Sequence, residues 1–191
     1  MQASLFNIDT AVLTSRTVIR RFREGEGKAF YELLQTNRSY LEDHFSTLLA
    51  QVPQPEQAEI FVRQAMANWL LQHSYAFGVW HTGDAKLIGY VHFREIDWDI
   101  PAAELSYFLD YAYTGQGIMT EVIARMVQYA FRQLKLDKLR LRTLIDNYAS
   151  QRLARKVGFR REGDLRNEYR KPAGNLVDIM LFGLTREEYG A

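Results

Sequence analysis

From Glu104 to Val122 the chain reads ELSYFLDYAYTGQGIMTEV. Residues 104–109 are mostly apolar and predict a short strand. A loop with Gly115 and Gly117 follows, and an amphipathic helix is predicted from Ile118 to Leu134. Strand, glycine-bearing loop and helix in this order form an anion-binding arrangement. The first N–H groups of a helix lack partners within it, and the helix dipole places partial positive charge there.

The loop alone does not name its ligand. It lacks the third glycine of the Gly-x-Gly-x-x-Gly fingerprint of dinucleotide folds and the Gly-Lys-Ser/Thr of a P-loop. The pattern predicts a phosphate site, and a plain strand-to-helix turn is the alternative.

The rest of the chain predicts strands before and after this unit, with helices between them. The fold class expected is α/β (α+β), with one mixed, mostly antiparallel sheet flanked by helices. The whole chain, 1–191, is expected to form one domain. The predicted strands are 12–22, 75–81, 87–95, 104–109, 138–145, 163–169 and 176–184, and the predicted helices are 24–37, 40–49, 56–71, 118–134 and 148–157.

The composition excludes several kinds of protein. The chain has no cysteine, which rules out disulfides, a thiol nucleophile and thiolate metal sites, and its four histidines show no metal-ligand spacing. We therefore expect no metal. The net charge of +1 gives no overall field to collect nucleic acid or a membrane surface. No stretch reads as a signal peptide or a membrane span, so a cytoplasmic location is expected.

Two runs of sequence carry a resemblance to a known family. The run from Glu104 to Val122 resembles the acetyl-CoA-binding motif of GNAT N-acetyltransferases, and more narrowly that of the RimJ/RimL type, the ribosomal-protein alanine acetyltransferases. The run DNYASQRLARKVGFRREGDLR, from Asp146 to Arg166, is similar to the second half of that family's core, as is Asp178. The resemblance implies a GNAT fold in which two central strands, one starting near Glu104 and the other at 139–145, splay apart around the pantetheine arm.

The resemblance also implies the cofactor, acetyl-CoA, and the groups that bind it. Backbone N–H groups from about Gly115 to Thr120 would bind the pyrophosphate, and Asn147 would bind the pantetheine arm. The basic cluster Arg152, Arg155 and Lys156 would meet the 3′-phosphate, with a solvated helix face as the alternative. A main-chain N–H near Phe108 or Leu109, where the family's strand bulges, would hold the thioester oxygen. The residues assigned to the cofactor are Phe108, Leu109, Thr114, Gly115, Gln116, Gly117, Ile118, Met119, Thr120, Asn147, Ser150 and Arg155.

The chain departs from the family pattern at two positions. Family members usually have Gln or Arg where this chain has Thr114, so we expect weaker cofactor binding. The tyrosine that many GNAT enzymes use to protonate the leaving thiolate would fall at Ala154. Ser150 is the nearest replacement, and helix capping near Asn147 is its alternative role. Glu168 is the candidate general base.

Glu104 is the second candidate for the general base, and an ordinary solvated carboxylate is its alternative role. Four aromatic residues, Tyr40, Phe45, Trp98 and Tyr169, are candidates for lining the acceptor pocket.

The acceptor expected is a protein or peptide N-terminus. An α-amine is about a tenth to a sixth neutral at pH 7, whereas a lysine amine is neutral about once in 2,500, so an α-amine needs little help from a base. Other small amines (an aminoglycoside, a polyamine or an amino acid) remain alternatives, as do a non-catalytic acyl-CoA-binding module and a nucleotide-binding domain unrelated to CoA. The protein is expected to be a monomer or a homodimer, without nucleic-acid or membrane partners.

Overall fold

The computed structural model describes residues 8–190, and eight strands of this part form a single sheet. The strands are β1 (Ala11–Leu13), β2 (Thr17–Arg21), β3 (Tyr75–His81), β4 (Leu87–Asp97), β5 (Ala102–Leu109), β6 (Lys138–Leu144), β7 (Arg160–Arg170) and β8 (Leu176–Thr185). The helices are α1 (Gly27–Thr36), α2 (Arg38–Gln51), α3 (Pro55–Leu71), α4 (Ile118–Arg132), α5 (Tyr148–Lys156) and α6 (Arg186–Tyr189).

The sheet order is β1-β2-β3-β4-β5-β6-β8-β7, and every neighbouring pair is antiparallel except β5 and β6. The parallel pairing of β5 and β6 ends at Glu104, opposite Arg140. Beyond it β5 continues to Leu109 and β6 to Leu144, and β6 stays paired with β8 over its whole length. The two central strands therefore separate, and the expected mixed sheet with splayed strands is confirmed.

Apolar side chains pack on both faces of the sheet. On one face α4 contributes a fully buried stripe, which lies against residues such as Val91, Phe93 and Leu105 of the central strands. On the other face α1, α2 and α3 cover Tyr90 and Phe108. Burying one such side chain contributes about 1.5–3 kcal/mol, so both helical layers hold the splayed strands in place.

The first predicted strand, 12–22, is wrong in one respect, because it is two strands joined by a tight turn. Thr14 Oγ1 accepts hydrogen bonds from the N–H groups of Arg16 and Thr17, at 3.2 and 2.9 Å. A threonine hydroxyl that binds the backbone ahead of it reverses the chain locally. The run of β-branched residues concealed this turn.

Helical spacing along residues 56–71 predicts an apolar stripe of Ile60, Phe61, Ala65, Met66 and Trp69, and the structure corrects part of it. Ile60 was expected to face the core, but its side chain is 65% exposed. The helix is buried through Ala58, Val62, Ala65 and Trp69. Apolar residues occur all round this helix, so periodicity could not fix which face would meet the sheet.

Candidate active site

The glycine loop joins β5 to α4 and presents free backbone donors. Gly115 and Gly117 have φ angles of +74° and +77°, a region that glycine adopts without steric cost. Within residues 8–190, the N–H groups from 115 to 120 donate to no other protein group. Ile118 and Met119 bury their side chains in the core, so this loop offers its backbone to a ligand. The arrangement fits an anionic group such as a pyrophosphate.

Two side chains of the loop turn back onto the protein. Thr114 Oγ1 donates to the carbonyl of Tyr111 at 2.7 Å, and the Gln116 amide donates to the carbonyl of Ala112 at 3.2 Å. Their hydrogen bonds stabilise the loop, and the backbone N–H groups are left as its open donors.

Arg16, which sequence reasoning missed, lies across this loop. Its Nη1 donates to the carbonyl of Gln116 at 2.9 Å, and its Nη2 pairs with Glu121 at 2.6 Å. This contact lowers the pKa of the Glu121 carboxyl. Arg16 is 100 residues from Gln116 in the chain, so no local pattern signals the contact. A guanidinium thus stands beside the loop although Thr114 supplies no long polar side chain.

Arg155 lies at the end of α5, with its guanidinium 5.4 Å from the centre of the Phe182 ring. It is exposed, and among the described residues it makes no ion pair. Its positive charge is therefore available to an anion, and its expected role toward the 3′-phosphate stays a prediction.

The separation of β5 and β6 opens a cavity of about 450 Å³. The Asp110 N–H donates to the Ile88 carbonyl at 2.7 Å, which fixes the direction of the N–H groups along β5. Because these groups alternate between the two sides of a strand, the N–H of Leu109 points into the gap and that of Phe108 points toward β4. The expected bulge near Phe108 is wrong: pairing with β4 is regular there, and the irregularity lies between Arg94 and Asp97.

Ser150 exposes its hydroxyl to this cavity. Asn147 is the N-cap of α5, and its Oδ1 accepts a hydrogen bond from the Ser150 N–H at 3.1 Å. Capping is therefore the role of Asn147, not of the Ser150 hydroxyl. The Ser150 hydroxyl lies 2.9 Å from the hydroxyl of Tyr107, and burial raises the pKa of Tyr107 to about 12. Ala154 is fully buried.

Tyr107 is a cavity residue that sequence reasoning missed. It lies on β5 beyond the last pair with β6, and it lines the gap together with Asn147 and Ser150. The sequence contained the alternation that places Tyr107 opposite Phe108 on the strand, but nothing that paired it with α5.

Glu104 is buried and doubly paired. Only 4% of the residue is exposed, and its carboxylate oxygens accept hydrogen bonds from Arg94 and Arg142, each at 2.5 Å. The alternative of a solvated carboxylate is therefore wrong. Because two guanidinium groups occupy its oxygens, this side chain is poorly placed to take a proton from an amine.

Glu168 lies at the cavity on a bulge in β7. The pairing of β7 with β8 shifts between Leu165 and Tyr169, and Asn167 has a φ of +55°. The Asn167 N–H donates to the Asp178 carboxylate at 2.9 Å, which holds the bulge. Bulges of this kind re-aim side chains next to active sites. Asp178 thus supports the residue expected to act as the base.

The four aromatic residues expected to line the acceptor pocket separate in the structure, and Phe45 lines the cavity. Tyr169 lines the cavity, and its hydroxyl is 3.1 Å from that of Ser46 on α2. Tyr40 instead packs edge-on against Tyr111, outside the cavity wall. Trp98 donates its indole N–H to the carbonyl of Gln72 at 3.0 Å and packs against the main core, so its expected place in the acceptor pocket is corrected.

His92 is a further cavity residue that the sequence did not single out. It faces the cavity from β4, where burial, with a smaller contribution from Arg94, lowers its pKa to about 4. Its imidazole is therefore neutral at pH 7. The charged residues of the cavity wall are two arginines and two glutamates, Arg94, Arg142, Glu104 and Glu168, which balance each other.

None of the helices between residues 8 and 190 has the length and apolar character needed to cross a membrane. In the same part of the chain, no cluster of three or more histidine, aspartate or glutamate side chains could hold a metal ion.

Comparisons with known proteins agree with this geometry. Residues 16–160 match the model of the acetyltransferase (GNAT) domain. The probable N-acetyltransferase YjcK of Bacillus subtilis is 41% identical over 90 residues, which cover 47% of this chain and 50% of YjcK, so the match spans only half of that relative. The ribosomal-protein-serine acetyltransferase of Escherichia coli is 24% identical over 83% of this chain and 87% of its own.

Among solved structures, Mycobacterium smegmatis RimJ in complex with CoA-disulfide superposes with a TM-score of 0.85 at 18% identity, covering 100% of this chain and 93% of RimJ. This likeness concerns the fold. The free donors of the glycine loop and the gap between β5 and β6 fit the cofactor that the family uses. By its match over residues 16–160, the chain belongs to the GNAT family of acetyltransferases, enzymes that use acetyl-CoA.

Proposed function

We propose that this protein transfers an acetyl group to the α-amine at the N-terminus of a protein or peptide, by direct attack of the neutral amine. One observation carries the proposal. The gap between β5 and β6 joins two sets of groups: Asn147 and Ser150 on the α5 side, and Glu168 and Tyr169 on β7. The first set suits a departing thiol and the second suits an arriving amine.

The charge of the cavity supports a singly charged acceptor. Its two arginines and two glutamates balance, so it does not attract a polyamine or an aminoglycoside as an acidic pocket would. Two acidic segments, 41–43 and 97–99, would favour such cationic acceptors, but neither lines the cavity. Asp43 pairs with Lys171 at 3.1 Å, and Asp97 accepts hydrogen bonds from the backbone of Asp99 and Ile100.

An α-amine also matches the weak base that the site offers. About a tenth to a sixth of such amines are neutral at pH 7, so Glu168 needs only to receive the proton released at the cavity. In the described part of the chain Glu168 makes no ion pair, unlike Glu104. The E. coli relative, which by its name acetylates a ribosomal protein, is consistent with a protein acceptor.

Acetyl-CoA supplies the activated acetyl thioester. The groups proposed to hold it are the loop N–H groups from 115 to 120, the Asn147 side-chain amide and the Leu109 N–H, which points away from β4. Backbone donors aimed at a developing negative charge are a large source of catalysis. Ser150 holds a proton at Oγ on the same side of the gap.

The test is a transfer assay with N-terminal peptides, spermidine and an aminoglycoside, with products identified by mass spectrometry. We expect acetylation of the peptide α-amine. Ser150→Ala should lower kcat by about 10²-fold while acetyl-CoA affinity stays within about twofold. Ser39→Ala, a change at an exposed serine on α2, is the control. Transfer to spermidine or the aminoglycoside with no transfer to peptides would overturn the acceptor. A melting temperature unmoved by saturating acetyl-CoA would overturn the cofactor role.

A further inference from the structure

The hydroxyls of Tyr107 and Ser150 form a pair at the point where the sheet opens. Tyr107 lies on β5 three residues past Glu104, the last residue that pairs with β6. Its hydroxyl oxygen is 2.9 Å from Ser150 Oγ on α5. Among residues 8–190, neither hydroxyl has another hydrogen-bond partner. The pair therefore joins the sheet to the helix across the cavity.

We propose that Tyr107 is a positioning residue: it donates its phenol hydrogen to Ser150 Oγ, so that the Ser150 O–H is directed into the gap toward the departing sulfur. As the amine nitrogen bonds to the acetyl carbon and the C–S bond breaks, the sulfur takes this proton. The proton that the amine releases to Glu168 replaces it on Ser150 through solvent. This inference rests on the proposed acetyl transfer. It adds to that function a residue from the sheet at the place where the helix supplies no tyrosine, since Ala154 is fully buried.

The direction of the hydrogen bond follows from the chemistry of the two groups. A phenol, with an ordinary pKa of about 10, is a stronger donor than an aliphatic alcohol. Burial favours the protonated phenol, because removing its proton would leave a charge in a site of low polarity. Tyr107 therefore remains a donor throughout the physiological pH range.

The backbone of α5 does not compete for the serine hydroxyl. Asn147 Oδ1 accepts from the Ser150 N–H, so the cap is satisfied without Ser150 Oγ. A serine near the start of a helix otherwise tends to bind the backbone with its hydroxyl. Here the only described partner of Ser150 Oγ is the tyrosine, which fixes one lone pair and leaves the hydrogen free.

A double-mutant cycle tests the pair. Tyr107→Phe keeps the ring and removes the donor, and we expect kcat to fall about tenfold while KM for acetyl-CoA stays within about twofold. Because the two residues act as a unit, Tyr107→Phe combined with Ser150→Ala should be no slower than Ser150→Ala alone. Tyr75→Phe, a change at a buried tyrosine on β3 outside the cavity, is the control. The proposal is overturned if the fold-decreases in kcat of the two single variants multiply in the double variant, or if Tyr107→Phe leaves kcat unchanged.

A second measurement does not depend on turnover. In protein labelled with ¹³C at tyrosine Cζ, the Tyr107 resonance is assigned by its loss in Tyr107→Phe. It should shift in Ser150→Ala and stay in place in Ser39→Ala, and CoA affinity by calorimetry should stay within about twofold in all three variants. A resonance that ignores Ser150→Ala would refute the hydrogen bond. If no peptide is acetylated, the proposed acceptor is wrong. The double-mutant cycle is then measured on the hydrolysis of acetyl-CoA, followed through the free CoA thiol that it releases.

Discussion

Replacing Gly115 with alanine tests whether the backbone of the glycine loop is a main contact of acetyl-CoA. Gly115 has a φ of +74°, and an added Cβ would meet no atom within 4 Å. The substitution therefore adds no steric clash outside the residue. Its whole effect is the cost of holding an L-residue in the left-handed region, about 1–2 kcal/mol.

This cost divides between stability and binding. If the alanine variant keeps the loop conformation, it loses about 1–2 kcal/mol of unfolding free energy and its affinity is unchanged. If the free loop relaxes, stability recovers but the ligand must restore the conformation, and the affinity falls by up to about 5–30-fold. The open space around Gly115 favours relaxation. We therefore expect Gly115→Ala to lower mainly the affinity for acetyl-CoA and to lower the unfolding free energy less.

Two glycines provide matched controls. Gly25 has a φ of +88° with open space around its Cβ position, but it lies before α1, away from the loop. Gly163 also has open space and no positive φ. Urea denaturation and calorimetric titration with acetyl-CoA should show lost stability but normal affinity for Gly25→Ala, and neither loss for Gly163→Ala. Two results would refute the role of this backbone. One is a Gly115→Ala variant with the unfolding free energy and the acetyl-CoA affinity of the wild type. The other is a loss of affinity in Gly25→Ala as large as that in Gly115→Ala.

Three further predictions concern charged groups. Arg16→Gln removes the guanidinium beside the loop and leaves the Glu121 carboxylate, at the start of α4, with the Ser15 hydroxyl but without its ion-pair partner. Acetyl-CoA affinity measured by calorimetry should therefore fall about tenfold. Adding Glu121→Gln should restore part of this affinity, and an unchanged affinity in Arg16→Gln contradicts the role. Glu104→Gln leaves two guanidinium groups without their shared partner and should lower the unfolding free energy in urea by about 3 kcal/mol. Glu95→Gln, at an exposed partner of Arg142, should cost less than about 0.5 kcal/mol, and equal losses would count against the burial argument. Burial lowers the pKa of His92 to about 4 in the folded protein, against about 6.5 in the unfolded chain. As pH falls, the unfolded chain takes up this proton first, so the unfolding free energy decreases between about pH 6.5 and about pH 4. His92→Gln should remove about 2 kcal/mol of the stability difference between pH 7 and pH 5, and an identical pH dependence in the variant would rule out this origin.

Local patterns in the sequence determined most of the fold. The alternation of apolar residues and the glycine pair placed the central strand, the loop and α4 correctly, because each of these signals lies within one element. Gly115 and Gly117 both have positive φ angles, a conformation that glycine adopts without steric cost. Local patterns failed at Thr14, whose hydroxyl reverses the chain inside a β-branched run, and at Ile60, on a helix that is apolar on every side.

The tertiary structure decided how the site is assembled. The sequence singled out Ser150, Glu168 and Asn147, but only the fold removes Ser150 from the helix cap and joins it to Tyr107. The same is true of the bulge that Asp178 holds beneath Glu168. The Tyr107–Ser150 contact joins residues 43 positions apart, and the Asn167–Asp178 contact joins two strands. Hydrogen bonds also depend on distances and angles that spacing along a chain does not encode.

The glycine loop illustrates the division. Its sequence was sufficient to predict a phosphate site, since free N–H groups at the start of a helix follow from backbone geometry alone. The guanidinium that stands beside it comes from Arg16, on a turn 100 residues earlier. Sequence therefore determined which backbone could bind the cofactor, and tertiary packing decided which side chains surround it, because packing brings together charges that the chain keeps apart.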